Sequence, residues 1–299
     1  MPRPPLATPS DDAAAPRPES ADSARRRIAG LFEQAGLPDC TAEARLLVMH
    51  AAGLSHSQLI SHGGDPLSGR AITMLATLTE RRINAEPLDH ILGYREFYGR
   101  VFEISKDVLS PRQETEEVVS KALSLISAVK APRVLDLGTG SGAIITTLLS
   151  ETPGAIGIAT DISQAALAIA QRNANAHGTE TRTSFLSGDW LAPVDGKFDL
   201  IISNPPYIES AAMLTLSPEV RNFDPALALN GGEDGLAPYR IISRASAAHM
   251  RANGWLVLEI GYNQGKSVPA LLEDAGFRNI NMDLDIAGLP RIISAQAPI

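Results

Sequence analysis

The chain holds a single cysteine, Cys40, among 299 residues. One thiol excludes an intramolecular disulfide framework and a cysteine-rich metal site, and Cys40 itself reads as a small apolar residue on a helix. The histidines (His50, His56, His62, His90, His177 and His249) show no paired metal-ligand spacing, so no metal is expected. No uninterrupted apolar run is long enough to span a bilayer, and no apolar signal core is present. The expectation is therefore a cytoplasmic protein with no membrane contact. Positive charge is also scarce. The formal net charge is −8, and residues 91–299 carry 17 Lys and Arg against 23 Asp and Glu. That balance argues against a broad phosphate-binding surface and against direct nucleic-acid binding. No internal repeat is visible.

What is present is an ordinary globular composition, 44% hydrophobic and 20% charged. Residues 1–20 are rich in Pro, Ala, Ser and Asp and read as a disordered tail. An organellar leader fits poorly, because Asp11, Asp12 and Glu19 are acidic. Residues 21–90 show helical spacing of apolar residues at Ile28, Leu31 and Phe32, and Gly36-Leu37-Pro38 ends that helix. Asp39 or Thr41 can cap a second helix carrying Leu46, Leu47 and Met49. Ser55 and Gln58 have capping-box spacing, and a further helix runs from Ser68 to about Asn84. A helical bundle without a catalytic constellation reads as a partner-recognition domain. Residues 91–110 suggest a β-hairpin linker turning at Gly99-Arg100, and a helix then opens near Pro111 and runs to about Ser127.

From Arg133 onward strand and helix patterns alternate, which predicts a doubly wound, Rossmann-like α/β domain. Strands are expected at Arg133–Leu137, Ile156–Thr160, Arg182–Leu186, Phe198–Ser203 and Trp255–Ile260, with two more near Phe277–Asp283 and Arg291–Ala297. Helices begin at about Ser141, Ser163, Gly235 and Gln264. Trp255 reads as a core residue.

Four successive strand ends carry the candidate chemistry. Asp136-Leu137-Gly138-Thr139-Gly140-Ser141-Gly142-Ala143 is a strand end, a glycine turn and a helix start, in which glycines admit positive φ and close approach by a ligand. Gly138, Gly140 and Ala143 also satisfy the dinucleotide pattern G-x-G-x-x-A, so the turn alone leaves the cofactor class open. Asp161 ends the next strand, where a carboxylate can accept ribose hydroxyls of either class. Asp136 can also brace the turn by accepting an N–H, a role compatible with cofactor binding. S-adenosylmethionine is favoured by Asp136 two residues before the first glycine, by Gly188-Asp189-Trp190 after the third strand, and by Asn204 after the fourth. The cofactor-binding candidates are thus Asp136, Gly138, Thr139, Gly140, Ser141, Gly142, Asp161, Asp189, Trp190 and Asn204.

Ser203-Asn204-Pro205-Pro206-Tyr207 follows the apolar run Phe198–Ile202. Two prolines force the chain out of the sheet at its carboxyl end, where open α/β sheets bind ligands. The Asn204 amide oxygen and the Pro205 carbonyl can accept both hydrogens of a planar NH2 group while Tyr207 packs on its plane. Asn204, Pro205 and Tyr207 are the catalytic candidates, and Pro206 joins them in the substrate-binding set. Alone, such a tetrapeptide is also an ordinary turn; the upstream glycine turn changes its meaning.

These residues resemble the bacterial release-factor glutamine methyltransferases of the PrmC/HemK type over roughly residues 25–299. The likeness runs through Gly93–Tyr98, the Asp136–Ala143 turn, Gly188–Trp190, Asn204–Ile208, Glu219–Arg221, Phe223–Pro225, Asp234–Leu236 and Leu258–Gly261. Asn-Pro-Pro-Tyr is shared with adenine-N6 and other amino methyltransferases; the hairpin and the segment after Tyr207 are more specific. The resemblance implies a class I methyltransferase sheet over residues 111–299 with S-adenosylmethionine as donor and S-adenosylhomocysteine as product. It further implies that residues 21–90 bind a peptide chain release factor, whose Gly-Gly-Gln glutamine receives the methyl group on N5. A monomer is expected. One departure is Gln113, which stands where the family commonly has a second proline. Rival substrates are a glutamine of a ribosomal protein and the exocyclic amine of a nucleic-acid base.

Overall fold

The computed structural model describes residues 19–297. Residues 1–18, most of the expected disordered tail, lie outside the described residues. Glu19 and Ser20 do not belong with such a tail: Glu19 pairs with Arg27 at 2.8 Å, and the Ser20 hydroxyl caps the first helix by accepting from the Ser23 N–H. The chain divides into two compact units between Asn84 and Ala85.

The first unit is a helical bundle of α1 (Ala21–Gln34), α2 (Cys40–Ala52), α3 (His56–His62) and α4 (Gly69–Ile83). Its core is made by residues at helical spacing, including Ile28, Phe32, Leu47, Leu75 and Leu78, all buried. Each such side chain contributes about 1.5–3 kcal/mol by leaving water. Ser55 and Gln58 do form the reciprocal capping box of α3. Asp39 stands at the cap of α2 with φ +48 and makes no side-chain capping bond, so neither expected cap residue does that work. Arg82, 1% exposed, donates to both Glu43 oxygens at 2.7 and 3.0 Å. Removing one partner of such a buried pair costs far more than the pair nets.

The second unit opens with α5 (Leu88–Leu92), β1 (Tyr94–Phe97) and β2 (Arg100–Glu103). The hairpin turns at Tyr98-Gly99, one residue before the expected position, because both residues adopt positive φ (51° and 69°), as a two-residue hairpin turn requires. Its strands are part of this unit. Asn173 accepts the Glu103 N–H at 2.7 Å and donates to the Glu103 and Ser141 carbonyls at 3.1 and 2.8 Å, tying hairpin to glycine turn. Next comes α6 (Gln113–Ile126). Gln113 occupies its first turn next to the Arg112 cap, where proline is welcome but no interior bond depends on it; the helix forms with glutamine there.

The main sheet is built from β3 (Arg133–Leu137), β4 (Ile156–Asp161), β5 (Thr183–Ser187), β6 (Phe198–Ser203), β7 (Met250–Glu259), β8 (Arg278–Leu284) and β9 (Pro290–Gln296). Its order is β5-β4-β3-β6-β7-β9-β8, with β9 antiparallel to both neighbours and the other pairings parallel. The intervening helices are α7 (Ala143–Glu151), α8 (Gln164–Ala176), α9 (Pro218–Phe223), α10 (Ala226–Leu229), α11 (Ala237–Ser246) and α12 (Ser267–Asp274). Two apolar clusters, one around Val134, Leu148 and Ile202 and one around Leu135, Ile201 and Leu256, cover the two faces of the sheet. Alternate residues of the central strands feed each cluster, as a sheet buried on both sides demands. β7 starts five residues before the expected Trp255, with a register shift against β6; Trp255 packs partly buried on the first cluster. Among the described residues no helix is long and apolar enough to cross a membrane. β3 and β6 are adjacent, and chain order reverses between them. Their carboxyl ends therefore open the crevice in which such sheets place ligands.

Candidate active site

Gly138, Gly140 and Gly142 follow β3 with φ of 69°, 55° and 77°. Gly142 is the most constrained: an added Cβ would lie 2.9 Å from the Ala170 Cβ on α8. The turn is held from both sides. Asp161, at the end of β4, accepts the Gly140 N–H through Oδ2 and the Ser163 N–H through Oδ1, each at 2.9 Å. Asp136 lies fully buried beneath, accepting the Thr139 hydroxyl at 2.6 Å. Burial pushes its carboxyl up to about 7, while the Thr139 bond draws it back.

A cavity of about 570 Å³ opens over this turn. That volume suits a nucleoside-sized ligand. Gly138, Thr139, Gly140, Ser141, Asp161, Asp189, Trp190, Asn204 and Pro206 all line it. Trp190 adopts φ +47, a conformation that costs an L residue about 1–2 kcal/mol. Its ring lies against the bare backbone of Gly138, where an added Cβ would be 3.5 Å from the indole. Strain of this sort tends to collect at functional sites.

Asp136 and Gly142 do not line the cavity; they shape the turn from behind it. Tyr207 lines a second cavity of about 180 Å³ with Arg112, Ile208, Leu216, Val220 and Leu229. Asn204 lines both. Pro205 is buried and lines neither.

The turn after β6 is anchored at three points. The Ser203 hydroxyl donates to the Leu137 carbonyl at 2.7 Å, joining the ends of β6 and β3. Gln264 donates to the Tyr207 and Gly235 carbonyls at 3.2 and 3.0 Å and accepts the Gly261 N–H at 2.9 Å. Gly235 approaches so closely that a Cβ there would sit 2.5 Å from the Tyr207 carbonyl oxygen. Behind Asn204 runs a buried chain: its Nδ2 donates to Thr115 Oγ1 at 3.3 Å, and the Thr115 hydroxyl donates to Glu259 Oε2 at 2.7 Å. Burial raises the Glu259 carboxyl to about 7 and also raises the Tyr207 phenol, which stays neutral at physiological pH.

Thr115, Glu259 and Gln264 went unmarked in the sequence. Glu259 belongs to the Leu258–Gly261 segment noted there, and Thr115 follows Gln113 by two residues, but nothing in either segment announces the other. Leu227, which lines the larger cavity, sits in the four-residue α10, too short to show a period; Ile241, which lines it too, is an exposed apolar residue of the amphipathic α11.

A strand-end glycine turn and a strand-end Asp around one cavity, with Asn204 and Pro206 of an Asn-Pro-Pro-Tyr turn on its wall and a sheet of this order, define a methyltransferase. Residues 118–219 match the family described as "Methyltransferase small domain", and residues 23–93 match "PrmC N-terminal domain". A methyltransferase from Pyrococcus furiosus superposes with a TM-score of 0.50 at 16% identity, covering 68% of this chain and 91% of that one. The catalytic domain of hMettl16, solved with an RNA hairpin of the MAT2A 3'UTR, gives 0.52 at 15% identity over 74% of this chain and 91% of that one. At such identities these two speak for the fold alone. Sequence relatives are much nearer. The release factor glutamine methyltransferase of Cereibacter sphaeroides is 43% identical over 93% of this chain and 99% of its own length. That of Bradyrhizobium diazoefficiens is 42% identical over 93% and 95%. The chain belongs to the release factor glutamine methyltransferase family.

Proposed function

We propose that this enzyme transfers a methyl group from S-adenosylmethionine to the side-chain nitrogen of the Gly-Gly-Gln glutamine in a peptide chain release factor. The observation that carries the reading is the position of Asn204 on the wall shared by the two cavities. One is large enough for the donor and bears its recognition groups; the other is small and lined by Tyr207, apolar side chains and one cation, Arg112. The residues fit the donor. Each Asp161 oxygen spends one lone pair on the backbone, so the carboxylate retains capacity for hydroxyl groups, and Asp189 and Trp190 offer an acceptor and an aromatic face. The bare backbone of Gly138 supports close approach by the ligand. Bound there, S-adenosylmethionine supplies an electrophilic methyl group and its own leaving group.

The protein's part is positioning. A carboxamide nitrogen is a weak nucleophile because its lone pair is delocalised, and no basic side chain lines the smaller cavity except Arg112, a permanent cation. Tyr207 stays protonated. The Asn204 amide oxygen, on the wall of both cavities, is assigned one amide hydrogen, and the adjoining Pro205 carbonyl, which lines neither cavity in this structure, is assigned the other; together they fix the nitrogen's plane and direction. Their dipoles also favour the positive charge that grows on nitrogen as the bond forms. The helical unit and the hairpin are assigned recognition of the release factor, and the active chain is taken as a cytoplasmic monomer.

The test is labelled methyl transfer to a release factor and to ribosomal proteins side by side, with the Gly-Gly-Gln glutamine replaced by alanine as control. Label confined to the release factor and lost with the glutamine is expected. Label on a ribosomal protein or nucleic acid instead would overturn the assignment.

A further inference from the structure

Glu259 is a carboxyl group 1% exposed at the end of β7. Nothing about packing asks for a carboxylate there, and burying one is costly. The cation that acts most strongly on Glu259 is already committed: Arg291 bonds Asp285 and the Ile260 carbonyl, each at 3.2 Å, and reaches Glu259 through no hydrogen bond. The carboxylate's side-chain partner is Thr115, itself 3% exposed.

We infer that Glu259, acting through Thr115, fixes which way round the Asn204 carboxamide faces, and is therefore a positioning residue for methyl transfer. The inference rests on the function proposed above. Its logic is one of proton count. A threonine hydroxyl owns one proton. In this structure it goes to Glu259 Oε2 at 2.7 Å, so toward Asn204 the oxygen can only accept. It accepts from Nδ2 at 3.3 Å, which leaves Oδ1 as the outward group. An outward oxygen is what an acceptor amide's N–H needs. Were the Thr115 proton free to turn toward Asn204, the carboxamide could flip and present its NH2 to another NH2, donor against donor. With both Thr115 and Glu259 buried, solvent does not replace the missing constraint. The ionised carboxylate is the form that demands the proton, since a protonated one can donate to Thr115 instead. The charged and titratable groups facing Glu259 are Arg291, Arg112, Glu114, Tyr207 and Tyr239, whose hydroxyl donates to the Glu259 carbonyl.

The experiment measures kcat, KM for donor and KM for release factor from pH 5.5 to 9 in wild type, Thr115→Val, Thr115→Ser, Glu259→Gln and Asn204→Ala. S-adenosylhomocysteine affinity certifies that each variant is folded. Thr115→Val and Glu259→Gln are expected to lose about ten-fold in kcat, the usual cost of removing a group that orients a site residue. Donor KM should be unchanged, and Thr115→Ser should retain the wild-type rate. The rise of wild-type kcat through about pH 7 should vanish in Glu259→Gln. Should one of the two variants fail to fold, the other decides. Full kcat in them while Asn204→Ala is dead overturns the inference and leaves the proposed function standing. A kcat loss matched by lost donor affinity makes the role structural and overturns it too. Full activity in Asn204→Ala, or no methylation of release factor by wild type, removes both.

Discussion

The ends of β3 and β6 solve the same problem by different means. Each has a buried carboxylate beneath it, each carboxylate takes a threonine proton, at 2.6 Å in Asp136–Thr139 and 2.7 Å in Glu259–Thr115, and burial raises each to about 7. In the first pair the partners are three residues apart, and the bond shapes the main chain of the turn. In the second they are 144 residues apart, and the bond is the one inferred above to aim a side chain. A ligand that must be enclosed is served by backbone shape; a reacting nitrogen that must be aimed is served by a hydrogen-bond chain. If so, the two carboxylates should behave alike in stability and differently in turnover.

The largest expected effect lies in stability. A carboxyl whose folded-state value lies above its unfolded one holds its proton more tightly when folded. Its contribution to stability is therefore fully present below the unfolded value and lost as pH rises through the folded one. For Glu259 the window runs from 4.5 to about 7 and for Asp136 from 3.8 to about 7. Relative to Glu259→Gln and Asp136→Asn, wild type should thus lose about 3–4 kcal/mol of unfolding free energy between pH 4 and 8. Denaturant titrations across that range check it. A flat difference for either variant would break the parallel. Only Glu259→Gln should also alter the pH profile of kcat.

How much of this was legible in the sequence follows from the same contrast. Backbone shape is written in residue type: the β3 and β6 strands fall at their expected bounds, because glycines and prolines end them abruptly. Where the backbone signal was weaker the expectation slipped. The hairpin turn moved to Tyr98 because a tyrosine at positive φ does not advertise itself. β7 began at Met250 because Arg251–Gly254 interrupts the apolar run with polar residues. The short α9 and α10 carry too few turns to show a period. Tertiary bonds leave no local trace, so the sequence marks Asn204 as a candidate, whereas its hydrogen-bonded neighbours Thr115 and Glu259 carry no such mark.

Gly142→Ala tests the backbone side next. It forces an L side chain to φ +77 and sets a Cβ 2.9 Å from that of Ala170. Conformational cost and overpacking together predict a loss of about 3 kcal/mol in stability. Gly140→Ala, at φ +55 with open space around it, should cost about 1–2 kcal/mol, the conformational part alone. Thermal and denaturant unfolding of the two variants separates the terms. Equal losses would mean that the contact with α8 matters little. On the side-chain end, Asn204→Ala should lower kcat about 100-fold, roughly 2.7 kcal/mol, with donor affinity retained. Near-normal turnover would remove the aiming role on which the comparison rests.

The smallest effect is expected at Trp190, where enclosure and aiming can be told apart most directly. Its indole lines the larger cavity, the one proposed for the donor, and stands outside the Asn204 chain. Losing an aromatic platform costs about 1–3 kcal/mol per stacked base, so Trp190→Ala should weaken S-adenosylhomocysteine binding by roughly ten-fold. Trp190→Phe keeps a flat face and should weaken it by only about two- to three-fold. Because a platform holds ground state and transition state alike, kcat at saturating donor should stay near wild type in both variants. Calorimetry for the affinity and saturation kinetics for kcat give the two numbers independently. A fall in kcat with affinity intact would mean that the indole also aims the methyl group, and the division of labour between the two strand ends would no longer hold.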